Sequence, residues 1–265
     1  MVHPALSSQR PTARVNVKPY VLDTRKYDAV IFDMDGVVTH TADLHAAAWK
    51  ELFDGFLLRW AEANGEPFEP FDAVAEYRRY VDGKARYDGV RDFLAARGIN
   101  LPHGDPSDPP DRETICGLGN RKDALFLDRL RRVGATAFES TIDRARALRE
   151  KGLHVALISA SRNAPEILAS AGVADIFQAR VDGLVASELG LAGKPDPAVF
   201  LEAARRLQAD PARTVVIEDA TAGVDAGRRG GFGLVIGVDR GGQRDALLAH
   251  GADVVINDLS ELDIA

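Results

Sequence analysis

Two aspartates one residue apart follow a short apolar run near the start of the chain. The run from Ala29 to Phe32 ends in Asp33, and Asp35 stands two positions further on. Side chains two residues apart along an extended chain point to the same side. One carboxylate can therefore attack an electrophile such as phosphorus while the other exchanges a proton with the leaving or incoming oxygen. This spacing predicts Asp33 as a nucleophile and Asp35 as a general acid and base.

More polar residues follow later apolar runs in the same way. They are Ser159, Ala160, Ser161, Arg162 and Asn163 after the second run, Lys194 in the segment GKPDP, and Glu218 and Asp219 after the third run. Carboxylate oxygens suit Mg²⁺, whereas hydroxyl, ammonium and helix N-terminal amide groups suit phosphate. A bound cation and the lysine would neutralise charge on the phosphoryl oxygens as a carboxylate approaches. Together these residues predict a magnesium-dependent phosphoryl-transfer site.

Each of these residues alone has a plainer explanation. Ser159 could cap a helix, and Lys194 beside a proline could be an ordinary surface residue. An Asp-x-Asp pair alone is also a weak signal. The ordered occurrence of the whole set behind successive apolar runs favours the catalytic interpretation.

The elements that must hold these residues alternate between strand-like and helix-like patterns. Short runs rich in β-branched residues occur at 29–32, 154–158, 214–217, 233–238 and 253–256. Helical patterns lie between them and end at glycines, where helix C-caps are expected. The alternation predicts an α/β fold with a doubly wound, mostly parallel sheet. Ligands of such sheets bind beyond the carboxyl ends of the strands, so we expect the polar residues to converge there.

The stretch 42–137 interrupts this alternation. Apolar residues recur at helical spacing from Leu44 to Trp60, and further helical patterns cover 71–80, 87–96 and 120–133. The sequence therefore predicts a helical cap domain, 42–137, inserted into a core domain made of 27–41 and 138–265.

Two further segments carry no regular pattern. Residues 99–114 are rich in proline and aspartate and predict an exposed loop within the cap. Residues 1–26 contain three prolines among polar residues and predict a loosely docked N-terminal arm.

Composition excludes several classes of partner. The 265 residues are 46% hydrophobic, and 33 basic against 40 acidic residues give a formal charge of −7. No basic excess is available for nucleic acid, and no apolar run suits a signal peptide or a membrane span. The single cysteine, Cys116, excludes an internal disulfide framework and suits a reducing compartment. We expect a cytoplasmic monomer that acts on a small molecule.

Four segments, in this order along the chain, resemble the motifs of the haloacid dehalogenase-like superfamily. They are DMDGVVTHTADLHAAAWK, SASRN, GKPDP and VVIEDATAG. The likeness extends over about residues 27 to 257 and is strongest to the β-phosphoglucomutase family within that superfamily. It implies a Rossmann-like core with a mobile helical cap, and Mg²⁺ held by Asp33, the Asp35 carbonyl, Glu218 and Asp219.

The same resemblance assigns two phosphate sites. It implies that Ser159 and Lys194 hold the phosphoryl group being transferred, and that the loop from Ser161 to Asn163 holds the other phosphate. Arg86 matches the cap arginine that binds this distal phosphate in the family. Gly83 and Lys84 would line the sugar pocket.

Further cap residues bear on the general acid and base. Thr41, His45 and Trp49 are four residues apart and share one face of the first cap helix. In the family, residues at the positions of Thr41 and His45 couple the acid and base, here Asp35, to cap closure, and Lys122 would join them on the substrate. Departures from the family also occur: Ala220 and Gly89, for instance, stand where serines are frequent.

The resemblance implies a phosphomutase that interconverts β-glucose 1-phosphate and glucose 6-phosphate. The reaction would pass through an aspartyl phosphate, with β-glucose 1,6-bisphosphate as activator and intermediate. The alternative is a phosphatase of the same fold that acts on a small sugar phosphate, which would share both aspartates. A dehalogenase is disfavoured because its chemistry does not use Asp35, and a non-catalytic sugar-phosphate sensor is disfavoured by the intact Asp33.

Overall fold

The computed structural model describes residues 19–265, which form eight strands in two sheets. The strands are β1 (Tyr20–Leu22), β2 (Ala29–Asp33), β3 (His154–Ile158), β4 (Ala179–Val181), β5 (Thr214–Glu218), β6 (Leu234–Val238), β7 (Val254–Ile256) and β8 (Leu262–Ile264). Six of them form one sheet in the order β4-β3-β2-β5-β6-β7, and every neighbouring pair in it is parallel. The predicted parallel sheet is therefore confirmed.

The central strand, β2, is buried along its whole length. Val30 and Phe32 belong to the apolar cluster on one face of the sheet, whereas Ala29 and Ile31 belong to the cluster on the other face. Burial on both faces explains why this strand reads as a continuous apolar run and not as an alternation. The doubly wound class follows from these two covered faces.

Helices cover the sheet and build the cap. They are α1 (Ala42–Asn64), α2 (Arg86–Ala96) and α3 (Ile115–Val133) in the cap, and α4 (Glu139–Glu150), α5 (Ala164–Ser170), α6 (Gly183–Glu188), α7 (Ala198–Leu207), α8 (Thr221–Arg229) and α9 (Arg244–Ala249) in the core. The cap helices have an apolar cluster of their own, centred on Phe53, Phe71 and Phe93. This separate cluster supports 42–137 as the proposed cap domain.

Two cap elements differ from their predicted bounds. The pattern at 71–80 gives only one π-helical turn, Tyr77–Val81. In contrast, α3 begins five residues before the predicted 120, because the Thr114 Oγ1 accepts a hydrogen bond of 2.9 Å from the amide of Gly117. Such a cap compensates for glycines that lower the helix propensity of the first turns.

The end of the predicted arm is held more firmly than the sequence indicates. β1 pairs in parallel with β8, and the amide of Thr24 donates to the Ala265 carbonyl at 3.1 Å. Three residues are too few to show a strand period, so this pairing has no sequence signal. Residues 1–18 of the predicted arm lie outside the described residues.

The proline-rich stretch 99–114 contains neither helix nor strand, as predicted, but it is only partly exposed. Asp108 within it is buried and accepts hydrogen bonds from Thr114 Oγ1 at 2.7 Å and from the Asp105 amide at 3.1 Å. The buried acid gives the loop an internal anchor.

Candidate active site

Three acids and one lysine meet at the carboxyl edge of the sheet. Asp33 ends β2, Glu218 ends the neighbouring β5, and Asp219 follows directly. Their carboxylate oxygens lie within 4.8 Å of one another, and all three side chains are buried. Lys194 Nζ donates to Asp33 Oδ1 at 2.5 Å and also to Glu218 Oε1. We call Asp33, Glu218, Asp219 and Lys194 the acidic cluster.

The electrostatics of the acidic cluster favour a bound cation. Burial raises the pKa of Asp33 well above its usual range, against the Lys194 ammonium and with help from the Glu218 carboxylate. Burial and neighbouring acids, Asp82 first among them, likewise raise the pKa of Asp219. One ammonium therefore does not balance the buried acids. Asp33 therefore ionises less readily than its ordinary pKa suggests, and added positive charge would favour its ionised form.

Two glycines leave the space that the acids occupy. Gly36 has a φ of 84°, and a Cβ there would lie 1.9 Å from Asp219 Oδ2. A Cβ on Gly223 in α8 would lie 1.8 Å from Glu218 Oε1. Any side chain at either position would displace a carboxylate of the acidic cluster. The residues present therefore fit a divalent cation in donor type, charge and space.

Asp35 is turned away from the acidic cluster and toward the cap. Its Oδ1 accepts a short hydrogen bond from Thr41 Oγ1, and its Oδ2 is 3.4 Å from Ser159 Oγ. His45 Nε2 stands 3.4 Å from Oδ1. Burial acts to raise the pKa of Asp35, but the His45 and Thr41 contacts and the Lys122 charge outweigh it, so its pKa lies below the usual value. The free protein thus carries an ionised Asp35.

The cap contributes a buried lysine that reaches His45. Lys122 Nζ lies 2.5 Å from His45 Nδ1, and it stands over the rings of Trp49 and Phe126 at 5.1 and 5.0 Å. Burial lowers the pKa of Lys122 to about 8, although the carboxylates of Asp123 and Asp35 oppose the shift. Burial and the Lys122 charge lower the pKa of His45. A neutral His45 accepts from Lys122 at Nδ1, and its buried Nε2 faces Asp35 Oδ1 at 3.4 Å without an aligned hydrogen bond.

The loop after β3 is curled by its own hydroxyl groups. Ser159 Oγ accepts from the amide of Ser161 at 3.0 Å, and Ser161 Oγ accepts from the amide of Asn163 at 3.1 Å. Above this loop, Arg86 of α2 lies with its Nη1 2.7 Å from Asp123 Oδ1. The predicted distal-phosphate groups from core and cap therefore lie together.

A cavity of about 70 Å³ between cap and core joins these groups. Of the predicted site residues it is lined by Asp33, Asp35, His45, Trp49, Gly83, Lys84, Arg86, Lys122, Ala160, Ser161, Arg162, Lys194 and Asp219. The remaining four lie directly behind the lining. Thr41 and Ser159 contact Asp35, Glu218 contacts Lys194, and Asn163 contacts Asp123.

Two acidic residues of the lining were not predicted from the sequence. Asp82 stands next to Gly83 on the cap, and burial together with Glu218 raises its pKa to about 7. Asp123 follows Lys122 in a mixed charge run that reads as an exposed helix face. In the sequence, only their position beside predicted cap residues pointed to them. Their contacts with the core exist only because the cap packs against it.

Among the described residues, no helix has both the length and the apolar character needed to cross a membrane.

Comparisons with known proteins agree on one family. The model of the haloacid dehalogenase-like hydrolase family matches residues 27–231. A curated beta-phosphoglucomutase of Mycobacterium tuberculosis is 48% identical over 240 residues, which cover 89% of this chain and 92% of that protein. A curated beta-phosphoglucomutase of Bacillus subtilis is 31% identical over 242 residues, with the same two coverages. The crystal structure of beta-phosphoglucomutase from Clostridium difficile superposes with a TM-score of 0.69 at 24% identity and covers 89% of this chain and 92% of its own.

Proposed function

The chain belongs to the haloacid dehalogenase-like hydrolase family, and to the β-phosphoglucomutases within it, and from this premise we propose that it interconverts β-glucose 1-phosphate and glucose 6-phosphate. The observation that carries the proposal is the contact chain from Asp35 through His45 to Lys122. It ties the proton-exchanging residue to the cap, directly beside the acidic cluster.

Asp33, Glu218 and Asp219 would hold Mg²⁺, with the Asp35 carbonyl as a further ligand. Their uncompensated negative charge and the space kept by Gly36 support this assignment. When bound, the ion would supply charge neutralisation for the phosphoryl oxygens and for the carboxylates around them.

The first half-reaction loads the enzyme. A carboxylate oxygen of Asp33 attacks phosphorus of β-glucose 1,6-bisphosphate, and the phosphorus bond to the sugar oxygen breaks. Asp35, which takes up a proton from the preceding transfer or, in the first turnover, from solvent, gives that proton to the sugar oxygen. Lys194, which contacts Asp33 at 2.5 Å, would neutralise negative charge on the phosphoryl oxygens during transfer.

The second half-reaction uses the other sugar hydroxyl. Either monophosphate presents its free hydroxyl to the phosphorus on Asp33. The new bond from the sugar oxygen to phosphorus forms as the phosphorus bond to the Asp33 oxygen breaks, and Asp35 takes the hydroxyl proton. Because the pKa of Asp35 lies below its usual value, the residue is ionised and ready to act as this base. Asp35 then returns the proton to a sugar oxygen in the next loading step, so a full cycle neither consumes nor releases a proton.

The cap residues favour isomerisation over hydrolysis. A mutase must hold a sugar and a second phosphate while it keeps water from the aspartyl phosphate. Arg86 would bind the distal phosphate, and Gly83 and Lys84 would line the sugar pocket. Trp49 and Lys122 close the cavity from the cap side.

The proposal is tested by following two products together. With β-glucose 1-phosphate, Mg²⁺ and a trace of β-glucose 1,6-bisphosphate, we expect glucose 6-phosphate to form with little inorganic phosphate. Omitting the bisphosphate should leave a lag or no reaction. The variant Asp33→Asn should be inactive, whereas Asp28→Asn, a matched change at the exposed start of β2 where Asp28 pairs with Arg213, should retain activity. Inorganic phosphate as the main product would identify the phosphatase alternative instead.

A further inference from the structure

The carboxylate of Asp123 lies between two groups proposed to bind the distal phosphate. Asp123 Oδ1 is 2.7 Å from Arg86 Nη1 and accepts a hydrogen bond of 2.8 Å from Asn163 Nδ2. Asp123 stands on α3 of the cap, whereas Asn163 precedes α5 in the core. One carboxylate oxygen thus receives a guanidinium and an amide donor, as an oxygen of a bound phosphate would.

Asp123 satisfies Arg86 incompletely. Within residues 19–265, the Nε and Nη1 atoms of Arg86 are buried and find no acceptor in hydrogen-bonding alignment. The 2.7 Å contact to Asp123 is therefore a close ion pair with poor alignment. Arg86 Nη2 reaches only Tyr87 Oη, at 3.5 Å. Buried donors without acceptors favour a ligand that presents several oxygens at once, and phosphate is such a ligand.

We propose that Asp123 is an internal competitor for the distal-phosphate subsite and thereby a specificity-determining residue. This inference rests on the proposed function, which assigns Arg86 and Asn163 to that phosphate. In the free protein the Asp123 carboxylate pairs with both groups, and an incoming phosphate must displace it. Two anions cannot share these donors without mutual repulsion.

The competition selects against small anions. Inorganic phosphate gains only the contacts of a single phosphate subsite when it displaces Asp123. A sugar phosphate adds contacts of the sugar and of the acidic cluster, so it can offset the displacement. The Asp123 side chain is 26% exposed, which leaves it room to rotate toward solvent when a ligand arrives. Asp123 therefore discriminates between sugar phosphates and inorganic phosphate at one subsite.

The experiment compares two changes of equal charge on one helix. Asp123→Asn removes the competing charge, whereas Asp128→Asn removes an exposed carboxylate of α3 that pairs with Arg132 at 2.7 Å. The dissociation constant of inorganic phosphate is measured by titration calorimetry with Mg²⁺ and no sugar. We expect Asp123→Asn to bind phosphate roughly 10-fold more tightly than the natural protein, because Arg86 and Asn163 are then free. Asp128→Asn should leave the constant unchanged.

A double variant locates the effect. Adding Arg86→Gln to Asp123→Asn should abolish the gain in phosphate affinity. A gain that persisted in the double variant would show that phosphate binds through other residues. If Asp123→Asn binds phosphate with unchanged or weaker affinity, Asp123 is not a competitor and the inference fails. Should that variant fold poorly by thermal unfolding, Asp123→Ser is used in its place with the same expectation.

The phosphate titration and the turnover assay fail independently. Absence of glucose 6-phosphate formation by the natural protein would overturn the proposed function even if Asp123→Asn tightens phosphate binding. In contrast, normal turnover with an unchanged phosphate constant in Asp123→Asn would overturn only the role of Asp123. In an active enzyme we also expect stronger inhibition by inorganic phosphate in Asp123→Asn, which a purely structural role would not produce.

Discussion

The proposed proton exchange at Asp35 would depend on residues from both sides of the cap–core boundary. Thr41 fixes one carboxylate oxygen, and His45 faces the same oxygen from α1. Lys122 in turn fixes the tautomer of His45 by occupying Nδ1. The cap residues His45 and Lys122 would therefore complete an orientation of the carboxylate that Thr41 of the core begins, which would link the proposed base catalysis to the docked cap.

Lys122 should give the enzyme an alkaline limit. Its pKa of about 8 means that the amine carries its proton below this pH and loses it above. Because a neutral amine has no charge to attract a phosphate and donates more weakly to His45, kcat/KM should fall as the pH rises through about 8. Profiles of kcat/KM between about pH 6 and 10 report this free-enzyme ionisation.

Arginine substitutions separate Lys122 from other lysines. Lys122→Arg should move the alkaline limb to higher pH, since arginine stays protonated throughout the range. Lys50→Arg, at a half-buried position of α1 outside the cavity lining where Lys50 pairs with Asp54 at 2.7 Å, should leave the profile unchanged. An identical limb in natural protein and Lys122→Arg would show that another group causes it.

At the scale of elements, the first turn of α8 is shaped by the acid in front of it. A glycine within a helix normally costs about 1 kcal/mol relative to alanine. Gly223 is retained against this preference because a Cβ would meet Glu218 Oε1 at 1.8 Å and its carboxyl carbon at 2.1 Å. The helix gives up intrinsic propensity to make room for a carboxylate of the acidic cluster.

Alanine at two helical glycines should therefore have opposite effects. Gly223→Ala should destabilise the protein by about 1 to 3 kcal/mol, because the clash displaces Glu218. Gly55→Ala in α1, where a Cβ would find only Arg59 Nη1 at 3.9 Å, should stabilise it by up to about 1 kcal/mol. Denaturant unfolding measures both free energies. Equal signs for the two variants would contradict this account of Gly223.

The sequence predicted those elements that are long enough to show a period. The runs in β2, β3 and β5 have five residues each and occur at the predicted positions. Among the three-residue strands, β7 lies within the predicted run 253–256, whereas β1, β4 and β8 were not marked by such a run, and their pairing is decided by tertiary contacts.

Site residues divide along a similar line. Asp33 and Glu218 could be placed together from sequence because they end strands β2 and β5, and parallel strands direct their carboxyl ends to one edge. The contact of Asp123 with Asn163 joins residues 40 positions apart on different domains. No local spacing encodes such a contact, and only the docked cap creates it.

At the scale of the whole molecule, metal binding should be linked to stability. The buried acids repel one another in the cation-free protein, and a bound ion removes that repulsion. At a free Mg²⁺ concentration of about 100 times Kd, the gain in unfolding free energy should be about 2.7 kcal/mol. Thermal unfolding with Mg²⁺ and with a chelator measures the difference.

Asp219→Asn tests the source of this linkage. Its raised pKa means that ionised Asp219 destabilises the cation-free fold at neutral pH, so the cation-free protein should gain stability as the pH falls. Asp219→Asn should raise the melting temperature in chelator, by the equivalent of at least about 1 kcal/mol, and should lose most of the response to Mg²⁺. Asp225→Asn, which removes an outward carboxylate of α8 paired with His250, should keep that response. A full Mg²⁺ response in Asp219→Asn would place the ion elsewhere.

The cap loop meets the loop after β5 at two of the smallest residues, Gly83 and Ala220. A Cβ on Gly83 would lie 3.0 Å from the Ala220 Cβ. A bulkier side chain at this contact would hold the cap and the core apart and let water reach the proposed aspartyl phosphate. Ala220→Val should accordingly shift the product ratio from glucose 6-phosphate toward inorganic phosphate. An unaltered ratio would show that this contact does not control the access of water to the aspartyl phosphate. The small size of the side chain at position 220 would then decide whether the enzyme isomerises sugar phosphates or hydrolyses them.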